Sequence, residues 1–373
     1  MERKILKIFT LSTGDEVHRY QKSIVIPFQG ERKVISTSVL NGGYQESIKA
    51  IFNHDANPGA GMACVLRTDS YYNDMRLVSQ ELGLDPESTT GISTAASMEN
   101  VSIKTATFED LTVTAIVTGG VEVNGGRVGD PAFYHEQKGK VEKIPEGTIN
   151  IILYIDADLS EGTMARAVVT CTEAKTAALQ ELMAGSNYSR GLATGSGTDG
   201  TIVVANSQSQ LLLTNAGKHS KLGELIGVTV KSAVKEALFL QSGLCPKEQH
   251  NCIRRLKRFG VSQDLIWEKY KTLQGNNLSK PEFIHRLEEL ETDGQLVTLT
   301  SLYVHLMDQL DWGLLMPLEV VSEGQKIIER IKDRFNVLIV SKVTGDFVDN
   351  TVECMIDVFV DTIARVMEVG QDV

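Results

Sequence analysis

The sequence predicts a mixed-sheet α+β domain, layered α/β in character, followed by an all-helical C-terminal extension. Three observations lead there. Glycine is spread unevenly, with 25 of the 32 glycines in residues 1–244 and 7 in residues 245–373. Short β-branched, apolar runs separated by Gly-rich turns fill the first part and read as strands. Apolar residues at three- and four-residue spacing dominate the second part and read as helices. The boundary falls at Gly243-Leu244-Cys245-Pro246, where glycine closes a helix and proline prevents its continuation. The division is therefore 1–244 and 245–373.

In chain order, Lys4–Leu11, Ser23–Phe28 and Lys33–Val39 read as strands, and Met75–Gly83 as a helix. Val101–Phe108 and Leu111–Thr118 alternate in polarity and form a hairpin turning at Glu109-Asp110. Gly147–Ile155 is an almost unbroken apolar run, hence a buried strand. Ser160 suits a helix N-cap, and Met164–Met183 is an Ala-rich helix. Its stripe is Ala167, Cys171, Ala174, Ala178 and Leu182, small enough for close packing on a sheet. Thr201–Ala205 is a short strand, and Ser220 caps a helix that runs to Gln241. Beyond the boundary, helices are expected at Lys247–Arg258, Gln263–Leu273, Lys280–Leu290, Leu296–Gln309, Leu318–Phe335 and Phe347–Met367. Val337–Val343 reads either as a short strand or as continued helix.

Composition bounds the function. A 42% hydrophobic fraction over 373 residues allows a core without disulfide or metal staples. The net charge of −11 argues against nucleic acid, which demands a basic face, and weakly against anionic membranes. No apolar run approaches the roughly 20 residues of a spanning helix, and Met1–Phe9 has no signal-peptide core. Five scattered cysteines (Cys64, Cys171, Cys245, Cys252, Cys354) do not resemble a secreted disulfide framework, so a reducing cytoplasm is expected.

The chemistry concentrates in Gly/Thr/Asn/Asp turns at strand and helix ends. They lie at 91–98, 118–131, 147–150, 172–176, 193–199 and 217–224. Small residues admit a ligand to the backbone, and exposed N–H groups there can bind oxygens. Gly195-Ser196-Gly197-Thr198-Asp199-Gly200 spells G-x-G-x-x-G, yet it leads into a strand rather than a helix, which excludes the dinucleotide reading. Gly217-Lys218 lacks the Ser or Thr of a P-loop. The base-off corrinoid pattern D-x-H-x-x-G fails at Gly217 and Leu222, and Cys245, His250 and Cys252 lack the second pair of a zinc site. His219 precedes a helix N-terminus, whose dipole favours neutral imidazole, a general base or a metal ligand. Glu173 and Lys175 point roughly 200° apart on a continuous helix. Glu173 is the stronger pocket candidate, while Lys175 could reach a buried carboxylate; if the helix instead begins at Thr172, both become available at its first turn. Asp130 and Asp199 each flank glycine in a turn.

Taken together, five segments resemble the adenosylcobinamide amidohydrolase family: TGGVEVNGGRVGDP (118–131), GTINIIL (147–153), TEAKTAAL (172–179), ATGSGTD (193–199) and GKHSKLGELIG (217–227). The resemblance spans roughly residues 35–243, leaving 245–373 outside it. It implies a corrinoid substrate, hydrolysis of the aminopropanol amide of adenosylcobinamide, and adenosylcobyric acid as product. Amide hydrolysis calls for a nucleophile, an oxyanion site and a proton for the leaving amine. The expected catalytic set is His219, Asp199, Glu173, Ser196 and Thr198. His219 would activate water, oriented by Asp199 or Glu173, with the oxyanion held by N–H groups of residues 195–198. Substrate would be bound by Asn124, Asp130, Asn150, Lys175, Gly195 and Gly197. Two variants stay open: Ser196 or Thr198 as covalent nucleophile, or a divalent metal held by His219, Asp130 and Asp199. The rival functions are a non-catalytic corrinoid-binding protein and an amidase for another substrate. The helical extension is a candidate surface for a partner or for homo-oligomerisation.

Overall fold

The computed structural model describes residues 5–59, 66–132, 147–338 and 350–369. The chain divides into two compact units, Met1–Cys245 and Pro246–Val373. The first holds strands β1 (Leu6–Thr10), β2 (Glu16–Tyr20), β3 (Ser23–Pro27), β4 (Arg32–Ser36), β5 (Gly43–Gln45), β6 (Ala50–Asp55), β7 (Thr89–Thr94), β8 (Ser102–Phe108) and β9 (Leu111–Gly119). They continue with β10 (Gly125–Gly126), β11 (Ile149–Ile155), β12 (Asp158–Leu159), β13 (Gly195–Ser196), β14 (Gly200–Asn206) and β15 (Leu212–Leu213). Its helices are α1 (Tyr71–Glu81), α2 (Glu161–Glu181) and α3 (Lys221–Ser242).

One sheet has the order β1-β2-β3-β6-β7 and the other β5-β4-β14-β11-β9-β8. The side-chain alternation of β11 explains how they stack. Ile149, Ile151, Leu153 and Ile155 join the cluster shared with α2 and α3, while Ile152 and Tyr154 join the one between the two sheets. On the far side of the first sheet, Val25 and Phe52 pack against Met75 and Val78 of α1. The layers therefore run helix, sheet, sheet, helices. The mixed-sheet expectation holds, with a second sheet that the turn-rich stretches concealed.

The differences have local causes. β7 occupies part of the 91–98 stretch read as a turn. A Cβ at Gly91 would sit 2.3 Å from the Phe52 ring, so glycine there admits an aromatic from the adjacent strand. The Lys33–Val39 strand stops at Ser36, and the α2 helix starts earlier than expected, capped by Ser160 as predicted. The hairpin β8–β9 forms at the predicted place, with Glu109 at positive φ. α3 is capped by Ser220, which accepts from the Gly223 N–H, and ends on Gly243 at φ 77°.

A buried polar group crosses the inter-sheet layer. Arg32 donates to Asp15 at 2.8 Å, and the Tyr154 hydroxyl also bonds Asp15. Burial, together with its bond to Asp15, raises the Tyr154 phenol and keeps it protonated. At the opposite end of β3, Ser23 and His54 face each other across β3–β6, joined Oγ to Nδ1 at 2.8 Å. Burial first, then the positive charges of Arg67 and Lys22, lowers the His54 pKa to about 4. The fold thus favours neutral imidazole, whereas the unfolded chain protonates near the ordinary value of about 6.5. The first unit is therefore expected to lose stability as pH falls from about 6.5 towards 4, because the unfolded state binds the extra proton. Hydrogen exchange of β3 and β6 across that range checks this, and a His54→Asn variant with the same slope would refute it.

The second unit contains α4 (Cys252–Leu256), α5 (Gln263–Lys271), α6 (Lys280–Leu290), α7 (Gly294–Asp311), α8 (Pro317–Arg334) and α9 (Thr351–Val369). Its core gathers Tyr270, Phe283, Tyr303, Phe359 and Ile363. Arg258 meets Asp308 through two bonds of 2.6 Å, a bidentate pair buried within the bundle. The helix expected from Lys247 begins only at Cys252, because the Asn251 side chain caps a new start by accepting from the Arg254 N–H. Residues 347–349 of the last predicted helix, and 339–343 of the undecided 337–343 stretch, lie outside the described residues. Residues 337–338 continue no helix.

Candidate active site

The most polar arrangement of the first unit is built on a short β-pairing. β10 and β13 run antiparallel, Gly125 opposite Ser196 and Gly126 opposite Gly195. The turn after β13 brings Asp199 back onto Ser196. Asp199 Oδ1 accepts from the Ser196 hydroxyl at 2.7 Å and from the Ile149 N–H at 2.9 Å. Asp199 Oδ2 accepts from the Ser196 N–H at 3.1 Å and pairs with Lys175 Nζ. Four donors thus converge on one carboxylate and hold it in a single orientation. Lys175 comes from the middle of α2 and is largely buried with its partner. Glycine at 195 leaves room for this pair, since a Cβ there would lie 2.3 Å from Asp199 Oδ2 and 2.8 Å from Lys175 Nζ and would push them aside.

These groups open on a cavity of about 870 Å³, also lined by Arg127, Thr172 and Tyr188. Such a volume suits a small-molecule site. One wall is held by Asp130, which accepts from the Arg127 N–H at 2.7 Å and from Ser186 Oγ at 2.6 Å. Burial pushes the Asp130 carboxyl up, but hydrogen bonds from Ser186, Ser189 and the Arg127 N–H outweigh it and hold it below the usual range. Tyr188 donates to Asn124 Oδ1 at 2.7 Å, and Asn124 in turn donates to the Gly147 carbonyl at 2.9 Å. Burial and the Asp130 charge raise the Tyr188 phenol, so it remains a donor.

Of the residues expected from the sequence, Asn124, Asp130, Lys175, Gly195, Ser196, Gly197 and Asp199 line this one cavity. Four do not. His219 is exposed and lies outside the cavity lining. Glu173 pairs with Lys218 at 3.2 Å on the other side of α2, because the helix starts at Glu161 and is continuous through this segment. The preference of Glu173 over Lys175 is thereby reversed, and Lys175 is the one that meets a carboxylate. Asn150 is 1% exposed and points between the sheets. There it donates to Asn53 Oδ1 and the Ser93 carbonyl and accepts from the Gly200 N–H. Thr198 bonds the Gly147 carbonyl at 3.0 Å and ties two loops together outside the cavity.

Two N–H groups expected to hold an oxyanion are spent in building the turn. Ser196 N–H goes to Asp199, and Thr198 N–H goes to Ser196 Oγ at 3.3 Å. The trio His219, Asp130 and Asp199 is not assembled. Among the described residues no group of three or more His, Cys, Asp or Glu side chains is placed to hold a metal ion. Tyr188 and Arg127 were missed. Their sequence signals are two glycines, Gly126 for Tyr188 and Gly191 for Arg127, whose side chain would lie 2.5 Å from a Cβ at 191. A Cβ at Gly126 would lie 3.2 Å from the Tyr188 ring, so the glycine makes room for it.

A family model described as adenosylcobinamide amidohydrolase matches residues 8–246. The chain belongs to the adenosylcobinamide amidohydrolase family. An uncharacterized protein of Methanocaldococcus jannaschii is 38% identical over 231 residues, 59% of this chain and 87% of that protein. A Methanosarcina mazei protein named adenosylcobinamide amidohydrolase is 29% identical over 236 residues, 61% of this chain and 98% of that one. A crystal structure from Pyrococcus horikoshii OT3 aligns over 70% of this chain and 92% of its own, with TM-score 0.32 and 13% identity. The span matched by the adenosylcobinamide amidohydrolase model contains every cavity residue and ends beside the division between the two units. Among the described residues no helix is long and apolar enough to cross a membrane.

Proposed function

We propose that this cavity hydrolyses the amide joining aminopropanol to the corrinoid of adenosylcobinamide, releasing adenosylcobyric acid. The reading is carried by one observation: a hydroxyl, a carboxylate and an ammonium group, Ser196, Asp199 and Lys175, meet at the wall of a ligand-sized cavity in a member of this family. Ser196 Oγ attacks the amide carbon and passes its proton to Asp199. The Lys175 ammonium stabilises the charge on the carbonyl oxygen. It then gives a proton to the leaving nitrogen as the C–N bond breaks, which leaves an ester on Ser196. Water, deprotonated by Lys175, attacks that ester, and Asp199 returns the proton to Ser196 as the acid departs. The sum is one amide and one water giving one carboxylic acid and one amine. Arg127 and Tyr188, which line the same cavity, bind neighbouring amides of the corrinoid rim in this reading.

Incubation with adenosylcobinamide should release aminopropanol and a corrinoid carrying one new carboxylate, both read by mass spectrometry. Acid quenching during turnover should leave a corrinoyl adduct on the peptide containing Ser196, and Ser196→Ala should abolish it. Turnover without an adduct in the native protein, and undiminished in that variant, removes Ser196 as nucleophile. Absence of aminopropanol removes the reaction itself.

A further inference from the structure

A groove of about 600 Å³ runs between α2 and α3. We propose that it carries the macrocycle of the corrinoid while the cavity beside it takes the amide arm, an inference that rests on the hydrolytic reading above. Thr172 and Thr176, one helical turn apart on α2, line both spaces, so groove and cavity adjoin across that turn. The segments 172–179 and 217–227 supply most of the groove, and this accounts for their place among the motifs. Of the two, only Thr172, Lys175 and Thr176 reach the cavity.

The groove has the chemistry of a flat ring with an amide rim. Its floor is Ala174, Ala177 and Gly227, and its edges carry the Glu173–Lys218 pair and Glu224. Primary amides need both a donor and an acceptor, and these edges offer both. Gly227 lies inside α3, where glycine is a poor helix former. Nothing lies within 4 Å of the position its Cβ would take, so packing does not require glycine there. Gly223 is the contrast, since a Cβ at that position would lie 2.1 Å from the Gly217 carbonyl oxygen. What Gly227 preserves is an open floor.

The test is a visible-absorbance titration of the full chain with adenosylcobinamide, for the native protein, Gly227→Leu and Gly227→Phe. Circular dichroism verifies folding, and the leucine variant decides if the phenylalanine variant does not fold. The dissociation constant is expected to rise about tenfold or more with leucine and further with phenylalanine. Values within about twofold of the native protein for the folded variants overturn the assignment, as does a native protein that does not bind the corrinoid. A native protein that releases aminopropanol, with variants that bind equally well, refutes the groove alone. One that binds without releasing aminopropanol, and loses binding in the variants, refutes the hydrolytic reading and supports the groove.

Discussion

Asp199→Asn is expected to lower the rate of adenosylcobinamide hydrolysis by about 10³-fold, the order of loss seen when a preorganised polar group is removed from a reaction centre. The change conserves shape and removes one acceptor. In the native protein both carboxylate oxygens are occupied, by Ile149 N–H and Ser196 Oγ on one side and by Lys175 and Ser196 N–H on the other. An amide must turn its NH₂ towards one of these donor pairs. Lys175 loses its counter-charge in either orientation, and in one of them Ser196 also loses the acceptor for its hydroxyl proton. Single-turnover rates at saturating corrinoid isolate this effect from binding. A variant that retains more than about a tenth of the native rate would exclude Asp199 from the chemistry.

The second large effect concerns stability. Asp15→Ala should cost the first unit about 3–5 kcal/mol, the usual penalty for leaving one member of a buried ion pair uncompensated. Asp15 is 0% exposed and Arg32 is 3% exposed, so the stranded guanidinium has no route to water. It would keep Tyr154 at 2.7 Å and Asn206 at 3.2 Å, neither of which neutralises its charge. Adding Arg32→Met should recover much of the loss, because an apolar pair of similar volume removes the unpaired charge. Trp267 and Trp312 both lie in the second unit, so tryptophan fluorescence will not report this. Hydrogen exchange of the β11 amides does. Unchanged protection there in Asp15→Ala would show that the pair contributes nothing.

Much of the architecture was legible because burial writes period into sequence. The β8–β9 hairpin, β11, α2, α3 and α6 follow from alternation, unbroken apolar runs and caps. β2, β6 and β7 were not legible, because their residues (Glu16–Tyr20, Ala50–Asp55 and Thr89–Thr94) include polar side chains satisfied by partners remote in sequence. Asn53, for example, bonds Thr118 across the inter-sheet layer. The candidate site was half legible for the same reason. Gly195–Asp199 folds on itself, so its polar turn can be recognised locally. Lys175 and Tyr188 arrive from other elements, and only tertiary packing brings them in. His219 stood out through its position before a helix, a local signal that carries no information about which surface the helix end occupies.

The amide of Asn150 has a mechanical consequence. It binds Asn53 and Ser93 of one sheet and Gly200 of the other, and Gly200 directly follows Asp199. The turn that carries the Asp199 carboxylate is therefore riveted across the layer between the two sheets. Local breathing of the turn is opposed by the cohesion of both layers, so the geometry of this pocket and the integrity of the double sheet stand or fall as one.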